Sequence, residues 1–260
     1  MVKTLRRKDL EAASRPDYYL TISDFAEQEI KQFYERESTI IYPPVAVENF
    51  QAVAPYREII QSNCQILSQH NSKKKQTQAK AENNIKHNKS QIISEKSTRE
   101  LPEILQKAPE ILQKLPESFL TEGFYLNFSR QVNWKRLDLI LAACKKLQLN
   151  LVLIGNGAAH ESLVNQAAGS KHVVFFDVLP QPDLKEFVKY AKAFIFPSNE
   201  PFGIAPVEAL AAGCPVIALK QGGAMDYIQN GKNGLFFEEQ SVDSLVQTLK
   251  NFEAKSVNSF

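Results

Sequence analysis

FIFPSNEPFGIAPVEALAAGCPVIA, residues 194–218, decides the fold. It holds two short apolar runs, each strand-like, with a helical stretch between them. The runs lie at about Ala193–Pro197 and Pro215–Leu219, and the helical stretch near Pro206–Ala212. That order predicts a βαβ unit and therefore a parallel sheet. The same alternation extends both ways along residues 119–252. Further strands are expected at about Phe124–Ser129, Leu151–Ile154, Val173–Phe176 and Leu235–Phe237. Further helices are expected near Lys135–Leu147, His160–Ala168, Pro182–Tyr190, Ala224–Gln229 and Val242–Phe252. Right-handed crossovers bring all strand C-termini to one edge. Ligands of open α/β sheets bind along that edge.

The residues expected at the edge carry chemistry. The first strand runs into Ser129 and Arg130, and Lys135 opens the next helix. Two cations bracketing a strand-to-helix turn can converge on a diphosphate and stabilise a departing nucleotide. Gly203-Ile204-Ala205 starts a helix, so its free N–H groups can face phosphate. Glu208, expected in the first helical turn, can accept two hydrogen bonds from ribose hydroxyls. Its other available role is to complement the helix macrodipole, worth about 0.3–1 kcal/mol. Glu200 precedes the helix and can bond sugar hydroxyls. Gly155 and Gly157, in a GNG turn, leave room for the nucleotide or its diphosphate, or mark an ordinary tight turn. Trp134 can pack against the sheet edge. His160 and His172 read as surface or capping residues.

The rest of the chain sets bounds. It has 260 residues, 43% of them hydrophobic, enough for a sizeable core, and a formal net charge of +2. Cys64, Cys144 and Cys214 form no CxxC pair, which argues against a disulfide framework or a zinc site. No apolar run reaches transmembrane length, and the N-terminus lacks a signal-peptide core. A cytoplasmic protein, able to rest against the inner face of a membrane, is expected. Asp17–Ser23 and Thr39–Val45 read as strands, with a helix capped by Asp24 between them. From Gln61 to Glu100 the chain is rich in Gln, Asn, Ser and Lys and too polar to build a core. PEILQKA (102–108) and PEILQKL (109–115) then repeat, reading as two short helical turns or a duplicated linker. The lysines there read as a solvated insert rather than a nucleic-acid surface.

Several stretches together resemble glycosyltransferase family 4, the large retaining GT-B family. SRQVNWKRLDLIL (129–141) is similar to its strand–Arg–x4–Lys–helix element. Glu200 and Glu208 match the two ends of its Glu–x7–Glu element. GGAMDYIQNGKNGLFF (222–237) resembles the segment that follows. The likeness covers residues 123–250. Residues 16–45 resemble the last β-α-β piece of the family's N-terminal domain, and the wording of both parts is closest to bacterial mannosyltransferases.

The resemblance implies a Rossmann-like C-terminal donor-binding domain of a GT-B glycosyltransferase at 119–260. A remnant of the N-terminal domain would occupy 1–50 and a low-complexity insert 51–118. It implies that Arg130 and Lys135 hold the donor diphosphate and that Glu208 binds the ribose. Glu200, with backbone at Phe202, Gly203, Ile204 and Ala205, would bind the transferred sugar. Arg130, Lys135 and Glu200 would carry the catalysis. Gly155, Gly157 and the Asp177-Val178-Leu179 turn would contact the nucleotide. The implied donor is GDP-mannose, the acceptor a saccharide or lipid-linked molecule, and no metal or other cofactor is expected. The segment before Asp17 is too short for a full acceptor domain, which leaves three origins open: a split gene product whose acceptor domain a separate chain supplies, a fragment, or a decaying copy. Ser129 departs from the family's usual glycine. Three readings stay open: a hexosyltransferase, a nucleotide-sugar-binding module without turnover, and an interaction protein built on the insert.

Overall fold

The computed structural model describes residues 2–50 and 108–254. The chain opens with helix α1 (Val2–Ala13), β1 (Leu20–Thr21), α2 (Asp24–Tyr34) and β2 (Thr39–Ile40). β1 and β2 pair in parallel, Leu20 opposite Thr39 and Thr21 opposite Ile40. The sequence predicts longer strands here. Tyr18, Leu20, Ile41 and Tyr42 are exposed, so no layer holds a longer ladder in place, and Pro43 and Pro44 cannot donate to one. The cap of α2 is Ser23 rather than Asp24: its hydroxyl accepts from the Ala26 N–H at 3.0 Å.

Residues 108–118, read from sequence as the end of the insert, belong to the folded domain. Ala108, Leu112 and Leu115 are buried in the same apolar cluster as Phe50, Phe119 and Leu120. Apolar side chains every three to four residues give this stretch a face to bury, which the polar segment before it lacks. The second PEILQK copy forms one 3-10 turn, Leu112–Lys114, and α3 (Glu117–Thr121) follows. Residues 61–100 and most of the first copy, residues 102–107, lie outside the described residues.

The main body then alternates strand and helix: β3 (Phe124–Phe128), α4 (Leu137–Leu147), β4 (Leu151–Ile154), α5 (His160–Ala167), β5 (Val173–Phe176), α6 (Gln181–Tyr190) and β6 (Ala191–Phe196). It continues with α7 (Ile204–Ala211), β7 (Val216–Leu219), α8 (Ala224–Tyr227), β8 (Gly234–Phe237) and α9 (Val242–Ala254). The six strands form one parallel sheet in the order β5-β4-β3-β6-β7-β8. β3, β4, β6 and β7 are buried on both faces apart from Lys192, which explains their near-continuous apolar sequence.

Alternate side chains feed two cores. Phe124, Leu126 and Phe128 of β3 join Phe187, Phe194 and Ala209 on one face. Tyr125 joins Ile140, Leu141, Leu153 and Leu245 on the other. Cys144 and Cys214 are free and buried, and burial raises both thiols, Cys214 to about 12, so they behave as small core residues. Among the described residues, no helix is long and apolar enough to cross a membrane.

Candidate functional site

The sheet grows from β3 in two directions, toward β5 on one side and β8 on the other. The order reverses between β3 and β6, and in such folds the crevice beyond that point receives the ligand. The two strands are cross-linked there. The Asn127 side-chain amide donates to the Ile195 carbonyl at 2.8 Å, and the Ser129 hydroxyl donates to Asn127 Oδ1 at 2.9 Å.

From β3 the chain does not run directly into the helix that the sequence predicts at Lys135. Asn133–Lys135 form a 3-10 turn, and Arg136 is left-handed at φ 53° before α4 begins at Leu137. The Arg136 guanidinium bonds Asp138 (3.1 Å) and Gln240 (3.1 Å), which holds this unusual turn. The turn sends Lys135 across the crevice. Its Nζ lies 2.7 Å from Glu200 Oε1, with side-chain exposures of 18% and 14%. The Ser198 hydroxyl donates to the same oxygen at 2.6 Å. Trp134 does not pack on the sheet edge: it is 58% exposed, with the Lys135 ammonium 4.9 Å from its ring centroid.

A cleft of about 480 Å³ opens at this point. Lys135, Glu200, Phe202, Gly203, Ile204, Ala205 and Glu208 all line it, joined by Asn127, Ser129, Ser198 and, from the N-terminal unit, Ile22 and Pro43. So the structure brings together seven of the eleven site residues expected from sequence. α7 starts at Ile204, which puts Glu208 in the second helical turn, not the first. Beyond the first turn the macrodipole effect fades. Burial raises the Glu208 carboxyl above its ordinary value. The N–H groups of Gly203, Ile204 and Ala205 have no hydrogen-bond partner among the described residues and stay available for a ligand.

The other four lie around the cleft rather than on its wall. Arg130 is exposed on the loop carrying Lys135, and Val178 is 74% exposed after β5. Gly155 (φ +122°) and Gly157 (φ +156°) are glycines for a reason the sequence does not reveal. A Cβ on Gly155 would stand 2.2 Å from the Ser129 carbonyl oxygen, and one on Gly157 2.3 Å from that of Gln131. Their missing side chains make room for the β3 loop, which is pinned by Gln131 N–H to Asn156 O and Ala159 N–H to Gln131 O, both 2.9 Å. His160 and His172 face Gln131 and Asn150 at 2.7 and 3.1 Å.

Sequence reasoning missed Ser198, which sits inside the quoted motif, and Tyr227. The Tyr227 hydroxyl donates to the Phe202 carbonyl at 2.7 Å, beside the cleft wall. A tyrosine in a short helix after a Gly-Gly turn carries no pattern that marks it.

The Glycosyl transferases group 1 family matches residues 109–258. Among curated proteins, the chain is 32% identical over 132 residues to the uncharacterized glycosyltransferase MJ1607 of Methanocaldococcus jannaschii, covering 48% of this chain and 34% of that protein. It is 30% identical over 133 residues to the GDP-mannose-dependent alpha-(1-6)-phosphatidylinositol monomannoside mannosyltransferase of Mycolicibacterium smegmatis, covering 45% and 35%. The chain thus spans about a third of the length of these relatives. Anabaena Alr3699/HepE, solved in complex with UDP and glucose, superposes with a TM-score of 0.64 at 17% identity, covering 100% of this chain and 60% of that one. That likeness supports the GT-B-type α/β fold. With more than half of its length matched by the family, the chain belongs to the glycosyl transferases group 1 family.

Proposed function

We propose that the chain binds a sugar nucleotide and takes part in transferring its hexose to an acceptor hydroxyl. The observation that carries this reading is the Lys135–Glu200 pair at the strand-order reversal, facing the free N-terminus of α7. A cation and a set of unpaired N–H groups converging on one cleft suit a diphosphate. Two carboxylates in the same wall, Glu200 and Glu208, suit the hydroxyls of a sugar and a ribose.

In this reading the bond between the anomeric carbon and the diphosphate oxygen breaks while the acceptor oxygen bonds that carbon. The acceptor proton passes to the departing phosphate, whose growing charge Lys135 and the α7 N–H groups stabilise. Arg130, on an exposed loop at the same edge, swings in to the diphosphate. Gly155, Gly157 and Val178 border the nucleotide. No metal is required, because these groups neutralise the charge. The donor in this reading is GDP-mannose, on which the mannosyltransferase relative named above depends, and configuration is retained. The acceptor is a saccharide or a lipid-linked molecule. Residues 1–50 act as a piece of the acceptor lobe, the remainder of which a further segment or a separate chain supplies.

Calorimetric titration with GDP, UDP and GDP-mannose, without metal, tests the reading. Binding of one nucleotide in the micromolar range is expected. Absence of binding to all three removes it. Binding of GDP-mannose without turnover toward any saccharide or lipid-linked acceptor favours a binding module instead.

A further inference from the structure

We infer that Tyr227 is a positioning residue that presets the backbone donors of Gly203 and Ile204 for the sugar-diphosphate of the ligand. The inference rests on the sugar-nucleotide reading above. The Tyr227 hydroxyl lies 2.7 Å from the Phe202 carbonyl oxygen and 3.4 Å from that of Gly203. One phenol therefore draws two successive carbonyls to its own side. In a trans peptide the N–H points opposite to the C=O. The N–H groups of those same two peptides belong to Gly203 and Ile204, and they are turned away from Tyr227. Both residues line the cleft, and neither N–H has a hydrogen-bond partner among the described residues. Two adjacent N–H groups facing the same way make a concave anion site.

The surroundings fit this role. Tyr227 donates rather than ionises, because burial, with Glu200 and Asp226 nearby, raises its phenol further above an already high value. Gly203 has φ +86°, and a Cβ there would stand 2.7 Å from the Phe196 ring and 3.1 Å from the Tyr227 oxygen. Only glycine lets the turn approach the phenol so closely. The Phe202 ring is held between two aromatics, Tyr227 at 5.6 Å and Tyr42 at 6.1 Å between centroids. Ring packing thus fixes the side chain of Phe202, while the hydroxyl fixes the orientation of its peptide.

Tyr227→Phe separates the two effects, since it keeps the ring and removes the donor. Three readouts are compared with the parent chain: melting temperature, amide exchange of residues 199–206, and affinity. Affinity is measured for whichever of GDP-mannose and UDP-glucose the parent binds, and for the matching nucleoside monophosphate. Expected are a melting temperature within a few degrees, faster exchange in 199–206, and sugar-nucleotide binding weakened about tenfold, the size of one or two lost hydrogen bonds. Monophosphate binding is expected to stay within about twofold, because that ligand lacks the group the two N–H donors hold. Equal weakening of both ligands shows a purely structural role and overturns the inference, as does unchanged exchange with unchanged affinity. A parent chain that binds neither sugar nucleotide overturns the donor reading before any variant is compared, and the inference falls with it.

Discussion

Lys135 and Glu200 form an ion pair across the seam of the sheet, Nζ to Oε1 at 2.7 Å, each side chain mostly shielded from water. The two residues come from loops after β3 and β6, strands that are neighbours in space and far apart in sequence. Removing the lysine strands a carboxylate whose remaining side-chain partner among the described residues is the Ser198 hydroxyl. Lys135→Ala is expected to abolish turnover and to cost about 2–3 kcal/mol of stability, somewhat less than for a fully buried pair. Pairing it with Glu200→Gln should recover most of the stability and none of the activity. Thermal melts and a sugar-transfer assay check both halves. Turnover in the single variant would remove Lys135 from the mechanism.

Glu208 is expected to bind ribose through its ionised form. Glu208→Ala should weaken nucleotide binding by about 1–3 kcal/mol. Because burial raises its carboxyl in the folded protein, protonation sets in at a higher pH than for an exposed glutamate. Nucleotide affinity should therefore fall on acidification from neutrality, beginning above the ordinary glutamate range. Glu208→Gln should flatten that profile. Dissociation constants measured between pH 7 and 4.5 decide the matter, and an identical slope in the variant would assign the pH dependence elsewhere.

Asp226 accepts the Asp24 N–H at 3.0 Å, joining the N-terminal unit to the main body. Burial raises its carboxyl, partly offset by that N–H, and Asp24 raises it further. The folded state thus holds the proton more tightly than the unfolded chain. Ionisation costs stability as pH rises from the unfolded value, about 3.9, through the folded one. Asp226→Asn keeps an oxygen for Asp24 and has nothing to ionise. It should melt higher than the parent at pH 7, with the gap closing below the usual aspartate range. A gap that widens on acidification would contradict the assignment.

Gly157→Ala should lower stability by about 2–3 kcal/mol, because the new Cβ meets the Gln131 carbonyl oxygen at 2.3 Å and neither backbone can retreat cheaply. A circular-dichroism melt measures it, and an unchanged melting temperature would show that the loop yields freely.

Much of this architecture is legible in the linear sequence because parallel strands buried on both faces announce themselves as apolar runs. FIFPSN and PVIA, flanking one helix, are enough to suggest the βαβ repeat, and the strands observed agree within about two residues. What stays hidden has physical reasons. The left-handed Arg136 breaks the predicted helix without a glycine or proline to mark it, since Asp138 and Gln240 hold it from outside the local sequence. The β1–β2 pair is shorter than its aromatic, β-branched sequence suggests because a strand needs a layer to cover it. Residues 108–118 look like linker until Leu112 and Leu115 are seen beneath the sheet. Of the site, Lys135, Glu200, Glu208 and the Gly203 turn converge as expected. Gly155 and Gly157 answer to a neighbouring loop, a contact no local pattern encodes.

The strand order also bears on how the molecule acquires its native state. β3–β4–β5 form one run of sequential neighbours and β6–β7–β8 another, so each half can assemble from contacts close in sequence. Within the six-stranded sheet of the described residues, β3–β6 is the one pairing between strands that do not follow each other in sequence, and steps that close long stretches of chain are slow. Lys135 belongs to the first half and Glu200 to the second, so the cleft does not exist until that step is complete. In a refolding experiment, nucleotide affinity should appear only after most of the secondary structure has formed, making ligand capture a clock for the last event of folding.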